Sequence, residues 1–259
     1  NGQDAWISIV RDITERKQIE QQLRQAQRLE AIGTMVGGVA HEFNNALQSL
    51  FLYAGMVKDG LPDDKAVVED FNGLMKTAND AKKLVEQVML ISSMDPGNIQ
   101  PLKLSKLISD ALELEKVTSV SDVKIELVLD KDCPAVQGDE QQLRQVLDKV
   151  IDNAILSMET EGILSINLKY IASDGDKADQ AGIVQLTIKD TGAGMTEETL
   201  NQAFNPFFTT REIGQGKGFG LPIVYNLLQN MGASISATSA LGEGSSFQLE
   251  FPVKDHSDA

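Results

Sequence analysis

Between Ile19 and Val57, apolar or small residues recur at steps of three or four. They are Ile19, Leu23, Ala26, Leu29, Gly33, Val36, Ala40, Phe43, Leu47, Leu50, Ala54 and Val57, flanked by Gln, Arg and Glu. That period is a helical seam, and a seam this long needs a partner to cover it. The stretch KDGLPDD, with Gly60 and Pro62, breaks the helix. A second series follows at Val67, Phe71, Leu74, Ala78, Ala81, Val85 and Val88, and Pro96 and Gly97 stop it. Two such helices predict a hairpin. One hairpin leaves apolar surface uncovered, so two chains are expected to pair into a four-helix bundle, making the protein a homodimer.

The texture changes on either side. Upstream, AWISIVRDIT alternates as a short strand does, with Asp12 or Thr14 placed to cap the long helix. From about residue 100, LSKLISDALELEKV reads as a helix and VKIELVLD as a strand. DEQQLRQVLDKVIDNAILSM reads as an amphipathic helix with Leu143, Val146, Leu147, Val150, Ile151 and Ala154 inward. Strands are expected at GILSINLKYI, GIVQLTIKD, ASISATS and SSFQLEF, with a helix from about Phe219 to Asn230. This order predicts a second, α+β layered domain.

Composition excludes several classes of function. The net charge of −15 leaves no electrostatic footprint for nucleic acid or an anionic membrane surface, although one local site can still oppose that field. A single cysteine, Cys133, rules out a disulfide framework and fits a reducing, cytoplasmic setting. There is no membrane-length apolar run and no signal peptide; any membrane anchor is expected upstream of the abrupt opening NGQDAW.

Three local features carry chemistry. DTGAGM (Asp190 to Met195) follows a strand directly, and GQGKGFGLPIV (Gly214 to Val224) opens a helix. Glycines let a backbone turn and approach a ligand, and a helix start offers free N–H groups to phosphate. Taken alone, these are equally two plain turns; they match neither a Walker motif nor a dinucleotide-binding fingerprint. Asn153, in mid-helix, is either an ordinary amide or a magnesium ligand. His41 and Glu42 are either a solvated helix face or a reactive pair.

In order and separation, HEFNN, DNA, DTGAGM, FNPFFTT and GQGKGFGLPIV resemble the H, N, G1, F and G2 boxes of the sensor histidine kinases of two-component signalling. The resemblance covers roughly residues 15 to 253. The opening WISIVRDIT resembles the end of a PAS sensor domain. The family implies three parts: a PAS-like end over 1–14, a signalling helix with the dimerisation and phosphotransfer hairpin over 15–97, and a catalytic ATP-binding domain over 98–259. That last domain would be an α/β sandwich of the Bergerat type, a mixed sheet with helices on one face.

The resemblance also implies roles. His41 would accept the γ-phosphoryl group of ATP and pass it to an Asp of a response-regulator receiver domain. Glu42 would be its general base or orienter, and Asn45 would orient water for dephosphorylating that regulator. Asn153 would hold Mg²⁺, and Asp190 would accept a hydrogen bond from the adenine amino group. Gly192 and Gly194 would shape the purine pocket; Gly216, Gly218 and Gly220 would form the lid hinge over the phosphates, with Phe208, Gly214, Lys217 and Leu221 also on the nucleotide. Phe204, Phe207 and Phe208 would anchor that lid.

Two positions depart from the family pattern. Lys149 stands where an Asn is usual; its ammonium would either reach a phosphate or repel magnesium. Ala46 replaces a frequent Pro, so the first helix would be less kinked. Gyrase-like ATPases place a water-activating Glu at position 149, a task Lys cannot perform. The competing reading is a pseudokinase acting as a dimeric scaffold; a phosphatase bias would use the same residues as the kinase.

Overall fold

The computed structural model describes residues 38–58, 60–61, 64–92, 95, 97–113, 122–158, 161–172, 182–211 and 217–253. The PAS-like opening, the seam from Ile19 to Val36, and Gly214 and Gly216 lie outside the described residues. No helix among the described residues is long and apolar enough to cross a membrane.

Helix α1 runs over the described 38–58 and α2 over Lys65–Ser92. Asp64 caps α2 by accepting the N–H of Ala66 on Oδ1 at 2.9 Å. The two helices pack as a hairpin, with the Asn44 amide donating to Met89 Sδ at 3.2 Å.

The predicted seam on α1 divides in two. Ala40 and Ala54 are buried and Leu47 half-buried, with Asn44 and Phe51 beside them; this set meets α2. Phe43, Leu50 and Val57 stay exposed, at 58%, 39% and 54%, alongside Val39 and Tyr53. A helix one neighbour away from full burial needs two apolar faces, and residues at steps of three or four on a 3.6-residue turn drift across both. Val67 and Leu74 of α2 are likewise exposed.

The second layer system begins with a small antiparallel sheet of β1 (Gln100–Leu102) and β3 (Val136–Gly138). The main sheet has the order β2 (Asp122–Leu129), β4 (Glu161–Ile171), β5 (Ile183–Asp190), β7 (Gly244–Pro252), β6 (Ser234–Ala240). β2 and β4 are parallel and the other pairs antiparallel, so the sheet is mixed. A parallel pair needs a crossover, and α4 (Glu140–Met158) supplies it.

Alternation decides what faces α4. Leu164, Ile166 and Leu168 of β4, Val184, Leu186 and Ile188 of β5, and Phe247, Leu249 and Phe251 of β7 are all buried. They meet the six predicted α4 residues, every one buried, together with Ile223, Val224, Leu227 and Leu228 of α6 (Gly220–Asn230) and Ile108 of α3 (Leu104–Glu113). The opposite sheet face is polar: Gln185 and Gln248 both donate to Glu250 Oε1. The result is a mixed sheet with helices on one face. β1, β3 and the short α5 (Glu197–Gln202) were not anticipated from sequence.

Candidate functional site

α4 lies across the sheet so that its C-terminal half passes the end of β5 and the start of α6. A cavity of 660 Å³ opens there, within the size range that holds a small ligand. One end is built on Asp190, only 1% exposed at the last position of β5. Its Oδ1 accepts from the Gly192 N–H at 2.9 Å, from the Ser245 N–H at 3.2 Å and from Ser157 Oγ at 3.0 Å, a hydroxyl whose proton is shared with the Ala154 carbonyl at 2.8 Å. Oδ2 takes part in none of them. A carboxylate saturated on one oxygen is held in one orientation and presents the other to whatever enters.

The backbone around Asp190 is close-packed. A β-carbon on Gly192 would meet the main chain of Ser157, and Ala193 donates its N–H to Ser157 O at 3.0 Å. Gly194 has φ +66° and a β-carbon there would strike the Ala240 carbonyl. Only glycine combines that backbone with that contact.

The other end lies at the start of α6. Gly220 begins the helix, and a β-carbon on it would stand 3.3 Å from Asn153 Nδ2. The Asn153 amide makes no hydrogen bond to any described residue, and Asp152 lines the same cavity. Lys149 lies one turn before Asn153. Lys149, Arg211 and Lys217 all line the cavity, and none forms an ion pair among the described residues. These three cations, unpaired among the described residues, outnumber the two carboxylates of the cavity, Asp152 and Asp190, and in a chain of net charge −15 they make a local site suited to an anion.

The flank is framed by aromatic residues. Phe207 holds a left-handed backbone (φ +67°), rare for a bulky residue, and its N–H donates to Gly218 O at 3.0 Å. This bond ties together the two ends of segment 208–217. Its ring lies edge-on to Phe219 with centroids 5.1 Å apart, and Phe204 meets Tyr225 in the same manner. Phe208 and Leu221 line the cavity itself.

His41, Glu42 and Asn45 are exposed on α1 and are not part of the cavity wall. The ring's partner is Asn45, with Nδ2 3.4 Å from His41 Nδ1; Glu42 makes no bond to the ring. If Nδ1 accepts, Nε2 carries the proton; with the amide turned over, Oδ1 accepts from Nδ1–H and the Nε2 lone pair is free. The structure thus joins Lys149, Asn153, Asp190, Gly194, Phe208, Lys217, Gly218, Gly220 and Leu221 around one cavity, with Gly192 just behind its wall. It holds His41 apart.

Sequence reasoning missed Ser157, Gly244, Ser245, Arg211 and Gln87. Ser157 had a signal, since it lies one turn beyond Asn153 on the same face. Gly244, at φ +85°, would drive a β-carbon into the Asp190 carbonyl.

Residues 138–255 match the family described as histidine kinase-, DNA gyrase B-, and HSP90-like ATPase. Sensor kinase CckA of Brucella abortus (strain 2308) is 30% identical over 254 residues, which make up 96% of this chain and 27% of that protein. The chain spans between 27% and 58% of the length of the first curated relatives it matches. Among solved structures, full-length ShkA in complex with AMPPNP shares the fold, with a TM-score of 0.63 at 21% identity over 86% of this chain and 46% of that one. Histidine kinase ThkA in complex with response regulator protein TrrA gives 0.53 at 22% identity over 93% and 68%. With these matches beside the site, residues 138–255 carry a domain of the histidine kinase-, DNA gyrase B-, and HSP90-like ATPase family, and the chain is similar along 96% of its length to a sensor kinase.

Proposed function

We propose that the chain is the dimerisation and catalytic portion of a cytoplasmic protein-histidine kinase, taking the γ-phosphoryl group of ATP onto His41 and passing it to an Asp on a receiver domain. The observation that carries this is the polarity of the cavity. One end presents the free oxygen of a buried, pre-oriented carboxylate, suited to an adenine amino group. The other gathers unpaired cations and a helix start, suited to a polyphosphate.

The roles follow from chemistry. Asp190 Oδ2 accepts from the exocyclic amine while Gly192 and Gly194 leave room for the purine plane. Lys149 and Lys217 neutralise phosphate oxygens, and the N–H groups at the start of α6 add to them. Asn153 offers an unpartnered amide oxygen, and no cluster of three or more acidic, His or Cys ligands exists among the described residues. That combination fits Mg²⁺ held by one or two side chains plus the substrate's own phosphates. Bound there, Mg²⁺ would supply charge neutralisation for phosphoryl transfer.

At His41, with the Asn45 amide turned so that Oδ1 accepts from Nδ1–H, Nε2 is left as the nucleophile. The Nε2–P bond forms as the bond from the γ-phosphorus to the β,γ-bridging oxygen breaks, and ADP leaves. His41 stands outside the cavity, so transfer requires the ATP-loaded domain to move to it. The exposed seam of Val39, Phe43, Leu50 and Val57 supports a homodimer, because a second copy would cover it. Lys149 is read as a phosphate contact; the pseudokinase alternative rests on that residue alone.

The test is incubation with γ-labelled ATP and Mg²⁺, comparing the wild type with His41→Ala. The reading requires label on the wild type only, lost in acid and kept in alkali, with ATP binding preserved in the variant. Wild-type protein that binds ATP without taking label would favour the pseudokinase.

A further inference from the structure

The nucleotide cavity is not walled by the ATPase-type domain alone. Gln87, on α2 of the helical hairpin, is part of its lining. Its side chain is half-buried, and its amide makes no hydrogen bond to any described residue. An amide held at a polar cavity without a protein partner is available to a ligand, and it does not compete with a fold contact for that role.

What holds Gln87 there is a packed contact, not a chance approach. Ile91, one turn further along α2, is only 4% exposed and belongs to the same core cluster as Val150 and Ile223. Leu84, Val88 and Leu90 pack against that cluster. Asn226 of α6 donates its amide to the Leu90 carbonyl at 2.8 Å, satisfying an acceptor in the last turn of α2.

The chain leaving α2 is fastened as well. Asp139 accepts the Asn98 N–H at 2.8 Å, and Gln142 donates to Asp95 O at 3.2 Å. Gly97 lies between them with φ +71° and no space for a β-carbon against Asp139 and Gln142. Helix and connection are therefore both tied to the domain that holds the cavity.

We propose that Gln87 is a nucleotide-positioning residue, whose amide completes the phosphate end of the cavity only while α2 is packed on α6. Occupancy of the cavity and docking of α2 then stabilise one another, as reciprocal linkage requires. Gln87 shares the cavity with Lys149 and Asn153 on α4 and with Leu221 at the start of α6, so the ligand group it meets is a phosphate oxygen. This rests on the adenine-nucleotide reading of the cavity.

The experiment is calorimetric titration of the whole chain with Mg²⁺ and either ADP or adenosine 5′-(β,γ-imido)triphosphate. It compares the wild type, Gln87→Ala, Gln87→Asn, Asn226→Leu and the double variant Gln87→Ala/Asn226→Leu. One lost hydrogen bond to a charged group predicts a weakening of about five- to tenfold for the triphosphate in Gln87→Ala, with a smaller loss for ADP. Partial recovery is expected in Gln87→Asn. Undocking predicts non-additivity: Gln87→Ala changes little in the Asn226→Leu background. Hydrogen exchange over 84–92 slows on nucleotide addition in the wild type but not in Gln87→Ala, a readout that mere packing would not move. Equal affinities for the wild type and Gln87→Ala, with unaltered exchange, overturn the proposal and leave the cavity reading standing. Failure of the wild type to bind either nucleotide overturns both.

Discussion

Ser157 donates its hydroxyl to Asp190 Oδ1 across 3.0 Å, and it stands one turn beyond Asn153 on the same face of α4. One helix therefore orients the carboxylate at one end of the cavity and supplies the free amide at the other. Asp190→Asn keeps an oxygen for the three donors but turns an amino group toward the ligand. The expected result is a loss of ADP affinity of about tenfold or more with the fold intact, since a buried acceptor becomes a donor facing a donor. Ser157→Ala removes one of three restraints and costs about two- to fivefold. Calorimetric titration and circular dichroism of the three proteins check both.

Lys149 adds a cation to the cavity where the family pattern carries a neutral amide. Lys149→Asn is expected to weaken ATP by about two- to fivefold at low salt while leaving adenosine unchanged, because a screened charge contributes modestly. The difference should shrink as ionic strength rises. Tighter ATP binding in the variant, with more label on His41, would mean that the ammonium repels magnesium instead.

Gly194 and Gly242 both hold left-handed backbones, at φ +66° and +81°. They differ in surroundings: a β-carbon at 194 meets the Ala240 carbonyl, whereas at 242 nothing lies within 4 Å. Gly242→Ala is expected to cost about 1 kcal/mol, the backbone strain alone. Gly194→Ala should cost more, about 2–4 kcal/mol, because strain and overlap combine. Urea unfolding of the two variants separates the terms.

Asp139 caps α4 through the Gln142 N–H at 2.9 Å and holds Asn98 with its other oxygen. The Gln142 N–H is the largest cause holding its carboxyl below the ordinary value of 3.8; partial burial opposes, and the N–H groups of Asn98 and Gln141 assist. A depressed folded value means the stabilisation is present above the unfolded pKa and is lost as pH falls through the folded one. Asp139→Ala is therefore expected to be less stable than the wild type by about 1 kcal/mol at pH 7. The gap should persist down to pH 5 and close below pH 4, read as the difference in thermal midpoints across that range.

The elements with a long, regular period were legible in the sequence. All six inward residues named on α4 are buried, and the strands of the main sheet fall where alternation placed them. The three-residue strands β1 and β3 escaped because a run that short has no period to detect. The α1 seam was visible as one stripe, but its division into a face for α2 and a face for solvent depends on where α2 lies. The glycine motifs and Asn153 marked the cavity, since special backbone and an unfavourable residue each need a local reason.

Ser245 and Gln87 gave no comparable signal, and Ser157 gave only its place one turn beyond Asn153. Ser157 and Ser245 reach Asp190 from 33 and 55 residues away, and Gln87 arrives on a helix of the other layer system. By itself the sequence determined which segments are helix or strand and which residue types wait at the turns, because periodicity and glycine conformation are local properties of the chain. Only the tertiary structure decided which oxygen of Asp190 stays free, which cations gather without partners and which bundle residue joins the cavity wall. Those outcomes depend on distances between segments far apart in the chain, which packing sets and local propensity does not.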